Sequence, residues 1–188
     1  VMNTNLDFGG PGETDLELSS LSFAGSLPVG DRTLVRAGGG AVLDGTLQFS
    51  GGSGHAFDSG GLAFAGLEHR TSGTAGWKPA LDLALTLGLT WGRTTGSDAG
   101  HGSYRAFDLR GGLRASWTVG DLFFPYAAGR IFGGPVTWER EGQRLSGSDV
   151  HHYQLAVGAG LALGPVLVFA ELAGAGETGA SVGVGSNW

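Results

Sequence analysis

Between Pro79 and Trp91 the chain alternates with a strict period of two. Leu81, Leu83, Leu85, Leu87, Leu89 and Trp91 take the odd positions, while Ala80, Asp82, Ala84, Thr86, Gly88 and Thr90 take the even ones. Successive side chains of an extended strand point to opposite faces, so this segment is a strand with one apolar and one polar or tiny face. Thirteen residues rising roughly 3.3 Å each, tilted by about 45°, reach across the apolar band of a bilayer.

The pattern recurs. Val35, Ala37, Gly39, Ala41, Leu43, Gly45, Leu47 and Phe49 oppose Arg36, Gly38, Gly40, Val42, Asp44, Thr46 and Gln48. Phe107, Leu109, Gly111, Leu113, Ala115, Trp117 and Val119 oppose Asp108, Arg110, Gly112, Arg114, Ser116 and Thr118. In Val150–Leu163 the apolar face runs from Tyr153 to Leu163 against His152, Gln154, Ala156, Gly158 and Gly160. Weaker segments fill the gaps. Thr14–Leu27 changes its apolar parity near Ser19-Ser20, which predicts a β-bulge there. His55–Arg70 and Leu122–Arg140 are ambiguous, and a turn longer than two residues after Val119 is needed to bring Arg130 inward. Val166–Ala175 and Thr178–Trp188 read as a last hairpin, and Asn3–Phe8 as a short first strand with Leu6 and Phe8 outward. "SGGSGH", "TTGSDAGHGS" and "EREGQRLSG" read as longer polar loops, whereas "LPVGD", "VGD" and "LGP" are tight turns.

The ending, Ala180, Val182, Val184 and Trp188, resembles the C-terminal strand of bacterial outer-membrane β-barrel proteins. That resemblance extends over most of the chain and is general to the class. It implies an all-β, single antiparallel up-and-down transmembrane β-barrel over residues 1–188, with ten strands, or eight if two weak segments are loop. It also implies a place in the outer membrane with both termini periplasmic. Expected partners are the membrane's lipid and lipopolysaccharide, the assembly machinery that would read Ala180, Val182, Val184 and Trp188, and room for an unidentified protein partner.

Composition supports a surface that is not bathed in water. Only 15% of residues are charged, against about 25% in soluble domains. Lys78 is the one lysine, and glycine supplies 38 residues. No apolar run is long enough for a membrane helix. The opening "VMNTNLDFGG" lacks the basic and apolar regions of a signal peptide, so an exported chain would be a mature form. A net charge of −6 excludes the basic face that nucleic acid requires.

Aromatic residues gather at strand ends. Phe49, Trp91, Phe107 and Tyr153 on the loop side, with Trp77, Trp117 and Trp188 on the turn side, read as two interfacial girdles. Charged residues on the opposite face form a predicted lumen network of Arg36, Arg110, Arg114 and Arg130 with Asp44, Asp82, Asp108 and Glu171. Ions inside a lumen persist when paired or hydrated. If Gly92 lies opposite Tyr104, Asp82 falls opposite Arg114 and Thr86 opposite Arg110. "AGGGA" (Ala37–Ala41) lies mid-strand and makes room for wall curvature or a neighbouring side chain rather than a phosphate loop. The histidines His55, His69, His101, His151 and His152 carry no nucleophile motif or metal-ligand spacing, and no cofactor is expected.

The functional expectation is an envelope scaffold or surface-interaction protein with a narrow or ion-pair-blocked lumen, and not an enzyme. Two further readings stay open: a narrow passive channel for small solutes, and an enzyme with a histidine-containing site at the external rim.

Overall fold

A computed structural model describes residues 1–9, 13–50, 52, 54–72, 77–96 and 100–186. The described residues contain no helix and twelve strand elements. β1 (Met2–Asp7), β2 (Glu13–Pro28), β3 (Thr33–Phe49), β4 (Gly54–Ser72), β5 (Ala80–Gly96) and β6 (His101–Ser116) follow one another as an antiparallel meander. β7 (Phe123–Gly133) and β8 (Val136–Arg140) both pair with β6 and form one barrel strand kinked at Gly134-Pro135. β9 (Gln143–Asp149) and β10 (Tyr153–Leu163) return along them, and β11 (Val166–Gly176) and β12 (Thr178–Ser186) complete a closed ten-stranded barrel against β1. β1 closes the wall between β2 and β12, and below Met2 the facing edges of β2 (Ser20–Pro28) and β12 (Ser181–Ser186) carry no ladder partner among the described residues.

The wall does not have the same strand count at both ends. β12 pairs with β1 at Met2↔Gly179 and Asn3↔Thr178, and Val1 exchanges backbone hydrogen bonds with Ala180. Higher up, β9 takes over as the neighbour of β1 through Leu6↔Asp149 and Asp7↔Ser148. The β11–β12 hairpin turns at Gly176-Glu177, beneath this crossing. The loop-side end is therefore an eight-stranded hoop of β1–β6, β8 and β9, and the last hairpin widens only the turn-side part.

β5 and β6 pair with the expected register, including Asp82↔Arg114, Thr86↔Arg110 and Gly92↔Tyr104. Even-numbered residues face inward on both. After Val119 the chain bridges Val119↔Phe123 across Gly120, whose φ is +58°. This three-residue turn keeps even residues of β7 inward, so Arg130 enters the lumen, as the alternation required.

The loop-side third departs from expectation. Leu6 and Phe8 are buried inside, while Asn3 and Asp7 point out. β2 keeps a single alternation throughout. Its ladder is irregular at Ser19/Ser20, but the extra residue is Leu43 on β3, so the bulge predicted in β2 belongs to its neighbour. Leu43 and Asp44 consequently lie side by side on the outer face, and Gly45 and Leu47 turn inward. Asp44 is thus exposed on the outside rather than part of the lumen network. A second bulge at Asp58, between the pairs Phe57↔Thr94 and Ser59↔Arg93, reverses the parity of β4 in the same way.

Above these bulges the outer face carries Asp7, Glu13, Asp15, Glu17 and Asp44, all exposed. The inner face carries Leu6, Phe8, Leu16, Leu18, Leu47, Phe57, Tyr104, Val136 and Trp138 as one packed cluster. Below them the arrangement inverts: Leu21, Phe23, Leu83, Leu85, Leu87, Leu89 and Leu113 stand exposed on the outside. The barrel has two storeys with opposite hydrophobic polarity.

"EREGQRLSG", expected to be loop, is instead the tip and return of the β8–β9 hairpin. Glu141 and Gly142 both have positive φ, +51° and +80°. That pair defines the two-residue turn whose twist matches antiparallel strands, with Gly at its second position.

Candidate functional site: a stoppered lumen over a turn-side cavity

The apolar cluster lies inside the barrel at the loop-side end. Phe49 was expected on an interfacial girdle. It lies inward instead, because the Leu43 bulge reverses its parity, and its ring stands 5.9 Å from Phe8 and 5.0 Å from Trp138. His55 is buried and packs edge-on against Trp138 at 4.8 Å. Phe57 meets Tyr104 at 5.4 Å, nearly perpendicular. These tilted and edge-to-face contacts are the favourable geometries for aromatic pairs. Trp138 donates its indole N–H to Thr94 Oγ1 at 3.0 Å, which satisfies the one polar atom of its ring.

Beneath this stopper comes a layer of charge. Arg110 donates to both carboxylate oxygens of Glu177, at 3.3 and 3.0 Å, and to Asp108 at 3.2 Å. Its guanidinium also lies 4.5 Å over the Phe132 ring, a cation–π contact. Gln154 donates to Glu177 at 2.9 Å. Thr4 donates to Asp149 Oδ1 at 3.1 Å. Asp149 pairs with Leu6 of the stopper, in the loop-side storey. Burial raises its carboxyl above the ordinary value; the Thr4 hydrogen bond opposes the rise, and the like charges of Glu177 and Asp108 add to it.

The turn-side third contains a second charge group. Asp82 accepts from Arg70 at 2.8 Å and from Arg114 at 3.0 Å. Glu68 accepts from Arg114 and, at 3.4 Å, from Arg36. Arg130 forms a two-pronged pair with Glu171, at 2.7 and 2.6 Å, and reaches Gln154 at 2.6 Å. Of the expected network, Asp82, Arg114 and Arg36 come together here, Arg130 and Glu171 stand beside them, and Asp108 with Arg110 belongs to the layer above. Sequence reasoning left out Glu68, Arg70 and Glu177. Glu68 and Arg70 share the inward parity of Phe64 and Gly66, a signal obscured by the change of parity at Asp58. Glu177 sits in a turn, where alternation carries no information.

Glycines shape this lumen at two positions. A Cβ on Gly38 would lie 2.5 Å from the Phe64 ring, and one on Gly158 would lie 2.3 Å from the Tyr126 ring. "AGGGA" therefore makes room for an aromatic ring laid flat against the inner wall. Between the turn-proximal ends of β3, β6, β7, β10, β11 and β12 remains a cavity of 590 Å³, bounded by Arg36, Arg114, Tyr126, Arg130, Phe169 and Glu171 among others.

On the outer wall, Trp91, Phe107 and Tyr153 are outward and exposed, Trp117 is half-buried and Trp77 is 95% exposed. Ala180, Val182 and Val184 lie along the outer face of β12. Trp188 lies outside the described residues. The histidines do not converge. His69 accompanies Thr33 on the turn side at 2.9 Å, and His101 lies 3.0 Å from Thr95 Oγ1. The Thr95 hydroxyl donates to Asp58 at 2.5 Å. Here the hydroxyl sits between the imidazole and the carboxylate. In a nucleophilic triad the imidazole takes that central position, with the carboxylate orienting it. Among the described residues no group of acidic or histidine side chains could hold a metal ion.

Fold and interior together define a closed antiparallel β-barrel with a stoppered lumen. No protein-family model matches the chain, and neither the curated proteins nor the solved structures contain a match.

Proposed function

We propose that this chain is a bacterial outer-membrane β-barrel that serves as an envelope scaffold or surface-interaction protein and does not conduct. The observation that carries the reading is the inversion of hydrophobic polarity along the wall. The turn-side storey turns leucines outward and charge inward, the arrangement that lipid favours. The loop-side storey turns carboxylates outward and packs an apolar core, the arrangement that water favours. In this reading the barrel rises out of the bilayer as a solid-cored knob whose side walls and short hairpins form the surface offered to partners.

The stopper supports the non-conducting half of the proposal. An ion would have to cross a packed cluster that includes Leu6, Leu16, Leu47 and Trp138, all of them at most 7% exposed. Desolvation inside such a cluster costs several kcal/mol or more. Planar-bilayer recording on protein refolded in detergent tests this directly: inserted protein is expected to remain silent. A steady ohmic current would establish the channel reading instead.

A further inference from the structure

The turn-side cavity has an asymmetry between its charges. The acids that pair with its arginines are recessed: the side chains of Asp82, Glu68 and Glu171 are 2, 13 and 15% exposed, and of the three Glu171 alone borders the space. Its guanidinium groups are more accessible and all four border the space: Arg70, Arg36, Arg114 and Arg130 are 53, 47, 35 and 24% exposed. The stoichiometry is unequal as well. Four arginines (Arg36, Arg70, Arg114, Arg130) meet three acids, because Glu68 and Asp82 each serve two guanidinium groups. Arg36 makes one contact to Glu68, at 3.4 Å. An arginine carries five N–H donors in a planar fork that fits carboxylate or phosphate oxygens. At Arg36 that capacity faces a cavity of 590 Å³, a volume typical of small-molecule sites.

The opposite wall is apolar. Phe124, Leu167 and Phe169 border the same space, together with Tyr126 and Ser181. One side offers unspent donors and an excess positive charge, and the other offers flat aromatic surface. The stopper closes the loop-side route, so a ligand enters from the turn side.

We infer that the turn-side cavity binds a small organic anion, with its carboxylate or phosphate group on Arg36 and Arg70 and its ring or short chain against Phe124 and Phe169. This goes beyond the scaffold reading and stands independently of it, since a conducting barrel could also bind such an anion. The function of the site is capture on the turn side, with no passage through the wall.

Calorimetric titration of the detergent-folded full chain tests this with three probes of one shape: phenyl phosphate, benzoate and phenol. Saturable heat with phenyl phosphate, benzoate or both, and none with phenol, is expected; which anion gives the tighter fit says whether the oxyanion is a phosphate or a carboxylate. Arg36→Gln should weaken the anion by about tenfold, roughly one hydrogen-bonded ionic contact's worth. Ser181→Phe, which fills the cavity without removing charge, should weaken the probes as well and guards against an Arg36 variant that fails to fold. Absence of saturable heat with both anions, equal heat with phenol, or affinities unmoved by either substitution would overturn the inference.

Discussion

Arg110 on β6 and Glu177 at the tip of the last hairpin meet across the lumen through paired hydrogen bonds of 3.3 and 3.0 Å. They are 67 residues apart in sequence, and the contact ties the C-terminal hairpin to the opposite wall. Glu177→Ala leaves the mostly buried Arg110 with Asp108 alone, so folding stability should fall by about 2–3 kcal/mol, below the full penalty for stripping a buried pair. Urea titration of refolding into detergent micelles reads the loss. Glu177→Gln, which retains acceptor and hydrogen-bond shape, should recover part of it.

Asp82 is shared by Arg70 and Arg114, and removing it strands the former more than the latter, which keeps Glu68. Asp82→Ala should therefore cost about 3 kcal/mol, and adding Arg70→Gln should return more stability than adding Arg114→Gln. A double-mutant cycle measures the two couplings. Equal recovery by both would show that Asp82 is held chiefly by the network rather than by either partner.

Leu85→Arg and Thr86→Arg differ by one position and by the face they alter. Leu85 is outward and Thr86 pairs with Arg110 inside. Refolding into lipid should lose about 2–4 kcal/mol for the first, near the middle of the proposed lipid band, and less for the second. The inverted storey gives a second contrast: Leu16→Arg, buried in the stopper, should be far more damaging than Glu17→Arg one residue on. Folding measured by heat-modifiable gel migration distinguishes all four.

The raised carboxyl of Asp149 fixes the sign of a pH effect. An acid whose proton is held more tightly in the folded state than in the unfolded chain favours folding at low pH. That advantage is lost as pH rises from the ordinary carboxylate value toward the raised one. Asp149→Asn keeps an acceptor for Thr4 and removes the half-buried charge. The variant should be the more stable protein at neutral pH, with the gain disappearing below about pH 4, near the unperturbed aspartate value. Parallel unfolding titrations across that window give the comparison.

How much of this was legible in the sequence depended on whether a strand kept one environment along its length. Pro79–Trp91 and Phe107–Val119 carry a single alternation, and their pairing, including Asp82 with Arg114, followed from turn arithmetic. The ten-stranded closure followed from counting such segments. The stopper was not legible because its residues use the same apolar alphabet as the outer wall, and nothing in Leu6, Phe8 or Phe49 taken singly says which side they face. A signal did exist in their neighbours. Glu13, Asp15 and Glu17 alternate with Thr14, Leu16 and Leu18, and three successive carboxylates cannot line the outside of a lipid-facing strand. Read that way, the acids reveal that β2 leaves the apolar band. The bulge residues Leu43 and Asp58 had no comparable marker, since an extra residue shows only when both partners of a ladder are known.

The crossing of β9 above the β11–β12 hairpin has a consequence for how the wall can come together. β9 joins β1 above the hairpin through two residue pairs, and β12 joins it below through two more and the Val1–Ala180 hydrogen bonds. The upper hoop can close without the C-terminal segment, which then slots upward like a keystone between β10 and β1 until Glu177 reaches Arg110. Below the β1–β12 seam the facing edges of Ser20–Pro28 and Ser181–Ser186 have no strand between them among the described residues, so a sideways parting of the wall would begin there.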